Sequence, residues 1–286
     1  MNLRFTKMHG LGNDFVLIDC RENELSGLDG RGLINQARLS ELSRKLCHRR
    51  FGIGADQVLL LYPSAIADFK MVIFNADGSE VEMCGNGIRC FAKYIWDRGL
   101  SEKKVLAVET AAGIIKPEKA GQMVKVDMDE PVLEGRLIPV NVDGMVKDFP
   151  LKIGDKEFRI TAVSMGNPHA VIFVDDVDSF EVTKYGPLIE KHELFPRRIN
   201  VEFIQVLDAG TIRMRVWERG SGETMACGTG ATAAGVASHL KGFTGKRVKV
   251  ILSGGELVIE WKEDNHAYMT GPAVEVFEGA INPEAW

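Results

Sequence analysis

The sequence predicts an α+β protein of two domains related by internal duplication, rich in strands that lie mostly antiparallel. Three observations predict this. The chain has 286 residues, 45% of them hydrophobic, which is enough to bury more than one core. Apolar runs of strand type recur with glycine or short polar turns between them, a hairpin spacing unlike the strand and helix alternation of a parallel α/β fold. Finally, three motifs occur twice in the same order.

The first motif is Gly12-Asn13 followed by the apolar run Phe15 to Asp19, answered by Gly166-Asn167 followed by Ala170 to Asp176. Arg49-Arg50 with Gln57-Val58-Leu59 is answered by Arg197-Arg198 with Gln205-Val206-Leu207. Last, "SEVEMCGNGIRC" from Ser79 is answered by "SGETMACGTGATA" from Ser221. The offset shrinks from 154 residues (Asn13 to Asn167) through 148 (Arg49 to Arg197) to 143 (Cys84 to Cys227), as small deletions in a duplicated domain would leave it. "FKMVIFNADG" alternates Phe69, Met71 and Ile73 with Lys70, Val72 and Phe74. "TIRMRVWERG" alternates Ile212, Met214 and Val216 with Arg213, Arg215 and Trp217, and both runs read as strands ending in turns. "VLAVET", "MVKVDMD", "AVIFVDD", "RVKVILSG" and "ELVIEW" predict further strands. Ile88, Phe91, Ala92 and Ile95 fall at helical spacing after Cys84, and Gly99 supplies a stop. After Cys227, "ATAAGVASHLKG" carries small residues nearly all round up to Gly242, the pattern of an enclosed helix. The seam between the halves is expected in the strand and turn stretch from Asp127 to Gly135.

Composition narrows the chemistry. Thirty-five basic residues against 40 acidic ones give a net charge of −5 with no basic block, which speaks against a nucleic-acid surface and for a small-molecule partner. The opening "MNLRFTKMHGLGNDF" lacks the apolar core of a signal peptide, and no window has the uncharged length of a membrane span, so a cytoplasmic protein with no membrane partner is expected. Cys20, Cys47, Cys84, Cys90 and Cys227 form no CxxC pair and no disulfide framework. Among the six histidines, His192 has Pro196 where a zinc protease needs its second histidine, and no metal site is expected.

Cys84 and Cys227 stand apart from the other cysteines, which read as small buried hydrophobes. Each precedes Gly-x-Gly and a helix. The first turn of a helix has N–H groups without internal partners and a partial positive charge, so it stabilises an anion, including a thiolate. Gly85, Gly87, Gly228 and Gly230 let a ligand approach the main chain, so each segment combines a reactive sulfur with a cradle for a carboxylate. A thiolate on one face of a carbon and a thiol on the other can remove and return a proton with inversion, without a cofactor. "GTGATA" from Gly228 also fits the loose G-x-G-x-x-A fingerprint of dinucleotide binding. That pattern needs a parallel βαβ unit, whereas "SGGELVIEW" downstream reads as an antiparallel hairpin.

At these residues the sequence resembles the diaminopimelate epimerase family. The likeness runs through "HGLGNDFVLID", "GIGADQ", "FNADGSEVEMCGNGIRC", "MGNPHAV", "RINVEF" and "WERGSGETMACGTGATA", nearly the whole chain. The resemblance implies two pseudo-symmetric domains, each a curled mixed sheet around a central helix, with the active site between them. It implies an N-terminal domain of residues 1–128 completed by a returning strand in 275–286, a C-terminal domain of 129–274, and a homodimer. The implied reaction is cofactor-independent epimerisation of LL-2,6-diaminopimelate to the meso isomer, serving lysine and cell-wall precursor synthesis. Cys84 and Cys227 are then the acid–base pair, and Gly85, Asn86, Gly228 and Thr229 bind the substrate carboxylate. Asn13, Gln57, Asn75, Asn167, Asn200, Glu218 and Arg219 contact the substrate, and His169 and Glu218 tune the thiols with a sign the sequence leaves open. Three other readings stay open here: a proline or hydroxyproline racemase using the same cysteines, a nicotinamide-dependent oxidoreductase using "GTGATA", and a non-catalytic thiol-bearing binding module.

Overall fold

The computed structural model describes residues 3–21 and 36–282, and its chain divides into two compact units, Met1–Val126 with Pro272–Trp286 and Asp127–Gly271. Of the expected N-terminal domain, residues 1–2, 22–35 and 283–286 lie outside the described residues. The first unit runs β1 (Leu3–Gly10), β2 (Asn13–Asp19), α1 (Gln36–Cys47), β3 (Gln57–Tyr62), β4 (Phe69–Asn75), β5 (Glu80–Val81), α2 (Gly85–Asp97), β6 (Val108–Thr110) and β7 (Gly113–Ile115), followed by the hairpin β8 (Glu118–Ala120) and β9 (Met123–Asp127). The second runs β10 (Phe149–Ile153), β11 (Lys156–Ser164), β12 (Pro168–Phe173), α3 (Val182–Glu190), β13 (Asn200–Asp208), β14 (Thr211–Glu218), β15 (Gly222–Thr224), α4 (Gly228–Leu240), β16 (Arg247–Leu252), β17 (Gly255–Trp261) and β18 (Ala267–Gly271). A last strand, β19 (Val274–Ile281), returns to the first unit and pairs antiparallel with β1.

The duplication is visible in the hydrogen bonding. In the first unit the order is β19-β1-β2-β3-β4-β6-β7 with β5 on β4; in the second it is β10-β11-β12-β13-β14-β16-β17-β18 with β15 on β14. Nine elements recur in sequence, from β1 to β7 with α1 and α2 and from β11 to β17 with α3 and α4, and each pairing keeps its sense. Register repeats as well: Phe15 opposite Gln57 matches His169 opposite Asn200, Val58 opposite Phe74 matches Val201 opposite Trp217, and Ile73 opposite Val81 matches Val216 opposite Thr224. This corrects one sequence match. The partner of Gln57 in the repeat is Asn200, not Gln205, so the Gln-Val-Leu coincidence is out of register, and the offset drops from 154 to 143 between β2 and β3 and then holds.

Among the described residues four neighbouring pairs are parallel, β2 with β3, β4 with β6, β12 with β13 and β14 with β16, and each is bridged by one of the helices α1 to α4, as a parallel connection requires. The remaining pairs described in the two paths are antiparallel, so the sheets are mixed. "VLAVET" yields only the short β6, with Val105 making a single bridge to Glu118.

Burial explains the helices. In β4 both faces are covered: Val72 and Phe74 join Val58, Leu60, Leu39 and Leu46 in one cluster, while Met71 and Ile73 are buried on the other side. Strand β14 alternates as its sequence does, with Ile212, Met214 and Val216 buried. Helix α4 is buried nearly all round and touches β11, β12, β13, β14, β16, β17 and β18, so the second sheet curls about it. A Cβ on Gly235 would stand 2.9 Å from Ile259, which is why this helix is written in small residues. Both long helices end as their glycines predict: the N–H groups of Gly99 and Leu100 return to Trp96 and Ile95, and those of Gly242 and Phe243 to His239 and Ser238.

Candidate active site

Each candidate cysteine is the N-cap of a helix. Cys84 precedes α2 with φ −137° and ψ 117°, Cys227 precedes α4 with φ −124° and ψ 115°, and each sulfur accepts the N–H of the third helical residue, Gly87 or Gly230, at 3.4 Å. The helical ladders start at the N–H groups of Ile88 and Ala231, which donate to the carbonyls of Cys84 and Cys227. The N–H groups of Gly85 and Asn86, and of Gly228 and Thr229, therefore lie outside the ladder, where an anion is stabilised.

Around Cys84 the predicted polar residues come from strand ends. Asn13 opens β2; its Oδ1 lies 3.8 Å from the Cys84 sulfur and accepts Asn86 Nδ2 at 3.2 Å, while its Nδ2 donates to Asp56 at 2.8 Å. Gln57 opens β3 and donates to Asn75 Oδ1 at 2.9 Å, and Asn75, closing β4, donates to Ser79 at 3.0 Å. Gln57 Oε1 is buried with no hydrogen-bond partner. Asp56 and its neighbour Asp14 are held by Arg49 and Lys7. Burial opposes ionisation of Asp14, but hydrogen bonds from Arg49 and Lys7 outweigh it and lower the carboxyl to about 2.

The second unit uses the matching strand ends. Asn167 precedes β12 and meets His169 Nε2 through Oδ1 at 2.9 Å. Asn200 opens β13, donates to the Pro168 carbonyl at 2.8 Å and accepts the Arg219 N–H at 2.8 Å. Glu218 closes β14 and accepts from the Thr224 hydroxyl. Arg219 is exposed, with one guanidinium nitrogen on the Arg197 carbonyl, and Thr229 Oγ1 lies 3.4 Å from the Cys227 sulfur. His169 is buried, and its Nδ1 is 2.7 Å from Oε1 of the equally buried Glu202. Both ring nitrogens of His169 are thus occupied.

The sign left open by the sequence emerges at Cys227. Burial, then the charges of Glu218 and Glu202, push this thiol well above its usual range, while the Thr229 hydroxyl and the Gly230 N–H pull the other way. Glu218 is itself raised, by burial first; the Thr224 hydrogen bond, the His169 charge and Cys227 oppose this, and Glu202 adds to it.

The sequence matches the diaminopimelate epimerase family over residues 5–134 and 161–276. It is 52% identical to the diaminopimelate epimerase of Acetivibrio thermocellus, covering 98% of this chain and 99% of that one, and 55% identical to that of Moorella thermoacetica, covering 97% and 98%. The chain belongs to the diaminopimelate epimerase family. Solved structures at lower identity share the fold. They include a phenazine biosynthesis protein of the PhzF family from Bacillus anthracis (18% identity, TM-score 0.68, 99% of both chains) and a probable proline racemase from Agrobacterium radiobacter (17%, TM-score 0.67, 98% and 93%).

For a diaminopimelate epimerase the dinucleotide reading of "GTGATA" is not favoured, and β16 with β17 is the expected antiparallel hairpin, yet a parallel unit is present as well. Helix α4 does lie between the parallel strands β14 and β16. What tells against a pyrophosphate there is the buried Glu202 carboxylate beneath Gly230, together with β15 and Cys227 standing between strand and helix. Among the described residues one group could hold a metal, Asp127, Asp129 and His266, which shares no residue with either cysteine helix. Two residues of the cysteine surroundings escaped the sequence reading: Glu202 and the fully buried Arg89, whose guanidinium donates to the Gly85 carbonyl at 3.1 Å and to Asn86 Oδ1 at 2.9 Å. A charged residue inside the apolar run "NVEFI" was the available signal for the first; for the second it was an arginine between Ile88 and Cys90, on a helix otherwise apolar towards its sheet.

Proposed function

We propose that the chain epimerises LL-2,6-diaminopimelate to the meso isomer without a cofactor, with Cys84 and Cys227 as the acid–base pair. The observation that carries this reading is the repetition, in a member of this family, of one sulfur-capped helix start with the same backbone and the same 3.4 Å N–H contact. In each turnover one sulfur, as thiolate, takes the α-proton, and the other, as thiol, gives a proton to the opposite face; the charge passes from one sulfur to the other and solvent exchange resets them. The helix-start N–H groups of Gly85, Asn86, Gly228 and Thr229 hold the α-carboxylate and stabilise the charge that develops when the α-hydrogen leaves. The amides of Asn13, Gln57, Asn75, Asn167 and Asn200, with Glu218 and Arg219, recognise the ammonium groups and the distal carboxylate.

The experiment is turnover in D₂O. Pure LL-diaminopimelate is expected to yield meso product carrying deuterium at the inverted carbon, and product free of deuterium would refute the two-sulfur mechanism. Proline and hydroxyproline are expected to remain unchanged.

We further propose a homodimer in the cytoplasm. The support for the dimer is β19, the edge strand of its sheet among the described residues, which exposes Val274, Val276 and Phe277. Sedimentation of the Phe277→Glu protein, expected to be monomeric, tests it.

A further inference from the structure

The repeat makes it possible to ask which residue replaces which beneath the two sulfurs. A Cβ on Gly87 would meet Leu59 at 3.2 Å and Phe15 at 3.5 Å; a Cβ on Gly230, its counterpart, would meet Glu202 Oε1 at 2.6 Å. By register, Phe15 corresponds to His169, and Leu59, two residues after Gln57, corresponds to Glu202, two after Asn200. An apolar floor in the first unit is thus a buried carboxylate and imidazole in the second. The opposite exchange occurs on the helices, where the buried Arg89 of α2 has Thr232 as its counterpart on α4, whose hydroxyl bonds only the Gly228 carbonyl. One sulfur has a buried cation within its first helical turns and the other a buried anion.

We infer that Arg89 and Glu202 are positioning residues that fix the order of ionisation: Cys84 is the sulfur that ionises first, and Cys227 is kept as the thiol. Glu202 is suited to this because it is wholly buried, its Oε1 is held by His169, and its Oε2 has no hydrogen-bond partner. Solvent screens a charge so placed only weakly, and the His169 imidazole, 2.7 Å from Oε1, offsets part of it when protonated. Of the other charged groups, Glu82, two residues before Cys84, is exposed to solvent. Against α2, Lys7 and Arg49 neutralise Asp14 and Asp56, and Glu275 and Glu278 of β19 pair with Arg98 at the far end of the helix. Cys90 is buried, and its thiol is pushed up to about 12 by burial. The Asn13 oxygen near Cys84 is a dipole opposing a full charge. Against α4, Glu218 faces Cys227 and adds to Glu202, His169 is occupied by Glu202, and Lys241 pairs with Asp148 at the far end. The upward push on the Cys227 thiol agrees with this assignment.

The inference rests on the proposed two-sulfur reading, yet its test needs no substrate. The rate of iodoacetamide alkylation is followed against pH in the Cys84→Ala protein, for Cys227, and in the Cys227→Ala protein, for Cys84, with the modified peptide identified by mass spectrometry. The peptide assignment separates these two sulfurs from Cys20, Cys47 and Cys90, which are more deeply buried than Cys227. Cys84 is expected to reach its midpoint at least about one pH unit below Cys227, about a tenfold difference in thiolate at fixed pH. Glu202→Gln is expected to raise the Cys227 alkylation rate severalfold at neutral pH and to leave Cys84 unmoved. Glu202→Leu, which installs the residue of the other repeat, reads the same quantity if the glutamine protein does not fold. Coincident or reversed midpoints, or a Cys227 midpoint unmoved by loss of the carboxylate, overturn the inference. Failure of the protein to invert diaminopimelate leaves these rates readable and counts against the functional proposal instead.

Discussion

Two helices of thirteen residues, α2 and α4, start at a cysteine in the same backbone conformation, but the ground beneath them differs. Cys84 is half-buried over Phe15 and Leu59 with Arg89 in its own helix; Cys227 is 6% exposed, over Glu202 and His169, with Glu218 alongside. Local geometry was therefore kept after duplication while the electrostatics diverged. On the proposed two-sulfur reading the difference has a chemical use: inversion between a thiolate and a thiol needs opposite protonation states, which a symmetric backbone with asymmetric charges supplies better than a perfectly symmetric repeat.

The largest expected effect comes from removing either sulfur. Cys84→Ala and Cys227→Ala should each lower the epimerisation rate at least about 10²–10⁴-fold, the usual worth of a general acid or base, while leaving the fold intact by circular dichroism. A variant of either cysteine with wild-type turnover would show that the two helix starts are not partners in one reaction. Next in size is the contrast between the third helical residues. In Gly230→Ala the new methyl meets a locked, buried carboxylate at 2.6 Å, so a loss of about 1–3 kcal/mol is expected. Gly87→Ala meets aliphatic and aromatic carbons at 3.2 Å and beyond and should cost less than about 1 kcal/mol. Urea midpoints of the two proteins measure the difference directly; equal losses would mean that the floor of α4 is softer than its packing indicates.

The sequence made the repeat, both sulfur-capped helices and their stops legible because these are local signals: a cysteine before Gly-x-Gly, apolar residues at helical spacing, and a glycine at the end. Even the enclosure of α4 could be read from its small residues. The register was not legible. Arg-Arg and Gln-Val-Leu matched as strings, yet the strand pairing sets Gln57 against Asn200, because pairing is decided by hydrogen bonds across the sheet and not by identity along the chain. For the same reason Glu202 went unseen. Its importance lies in a contact with His169, 33 residues away, and in its place beneath Gly230, neither of which a linear reading contains. Parallel pairing of β14 with β16 was likewise hidden, since the helix between them looks the same whichever way its strands run.

A smaller effect should separate the ways the two units hold their first asparagine. Asn13 is anchored through Asp56 to Arg49, Asp14 and Lys7, whereas Asn167 leans on buried His169. Asp14 is lowered to about 2 in the folded chain, below its usual 3.8, so its contribution is complete above about pH 4 and is lost as pH falls through 2. Part of the cluster faces solvent, which limits the contribution to about 1–2 kcal/mol. Asp14→Asn should therefore lower stability at pH 7 by that amount and flatten the loss between pH 4 and 2. Thermal unfolding of both proteins across this range tests it, and an unchanged acid limb would place the sensitivity elsewhere.

The smallest expected difference is between the two helix ends, where the repeat predicts none. Gly99 follows α2 at φ 63° and Gly242 follows α4 at φ 76°, 143 residues apart like the cysteines, and a Cβ at either position would meet nothing within 4 Å. With no steric neighbour, the cost of Gly99→Ala or Gly242→Ala is only that of holding an L-residue in the left-handed region, about 1 kcal/mol. The two unfolding free energies from urea titration should fall together to within about 0.5 kcal/mol, the scatter expected for independent sites. Unequal losses would mean that the divergence beneath the cysteines extends along the helices to their ends; equal ones confine it to the first turns, where the charge asymmetry is needed.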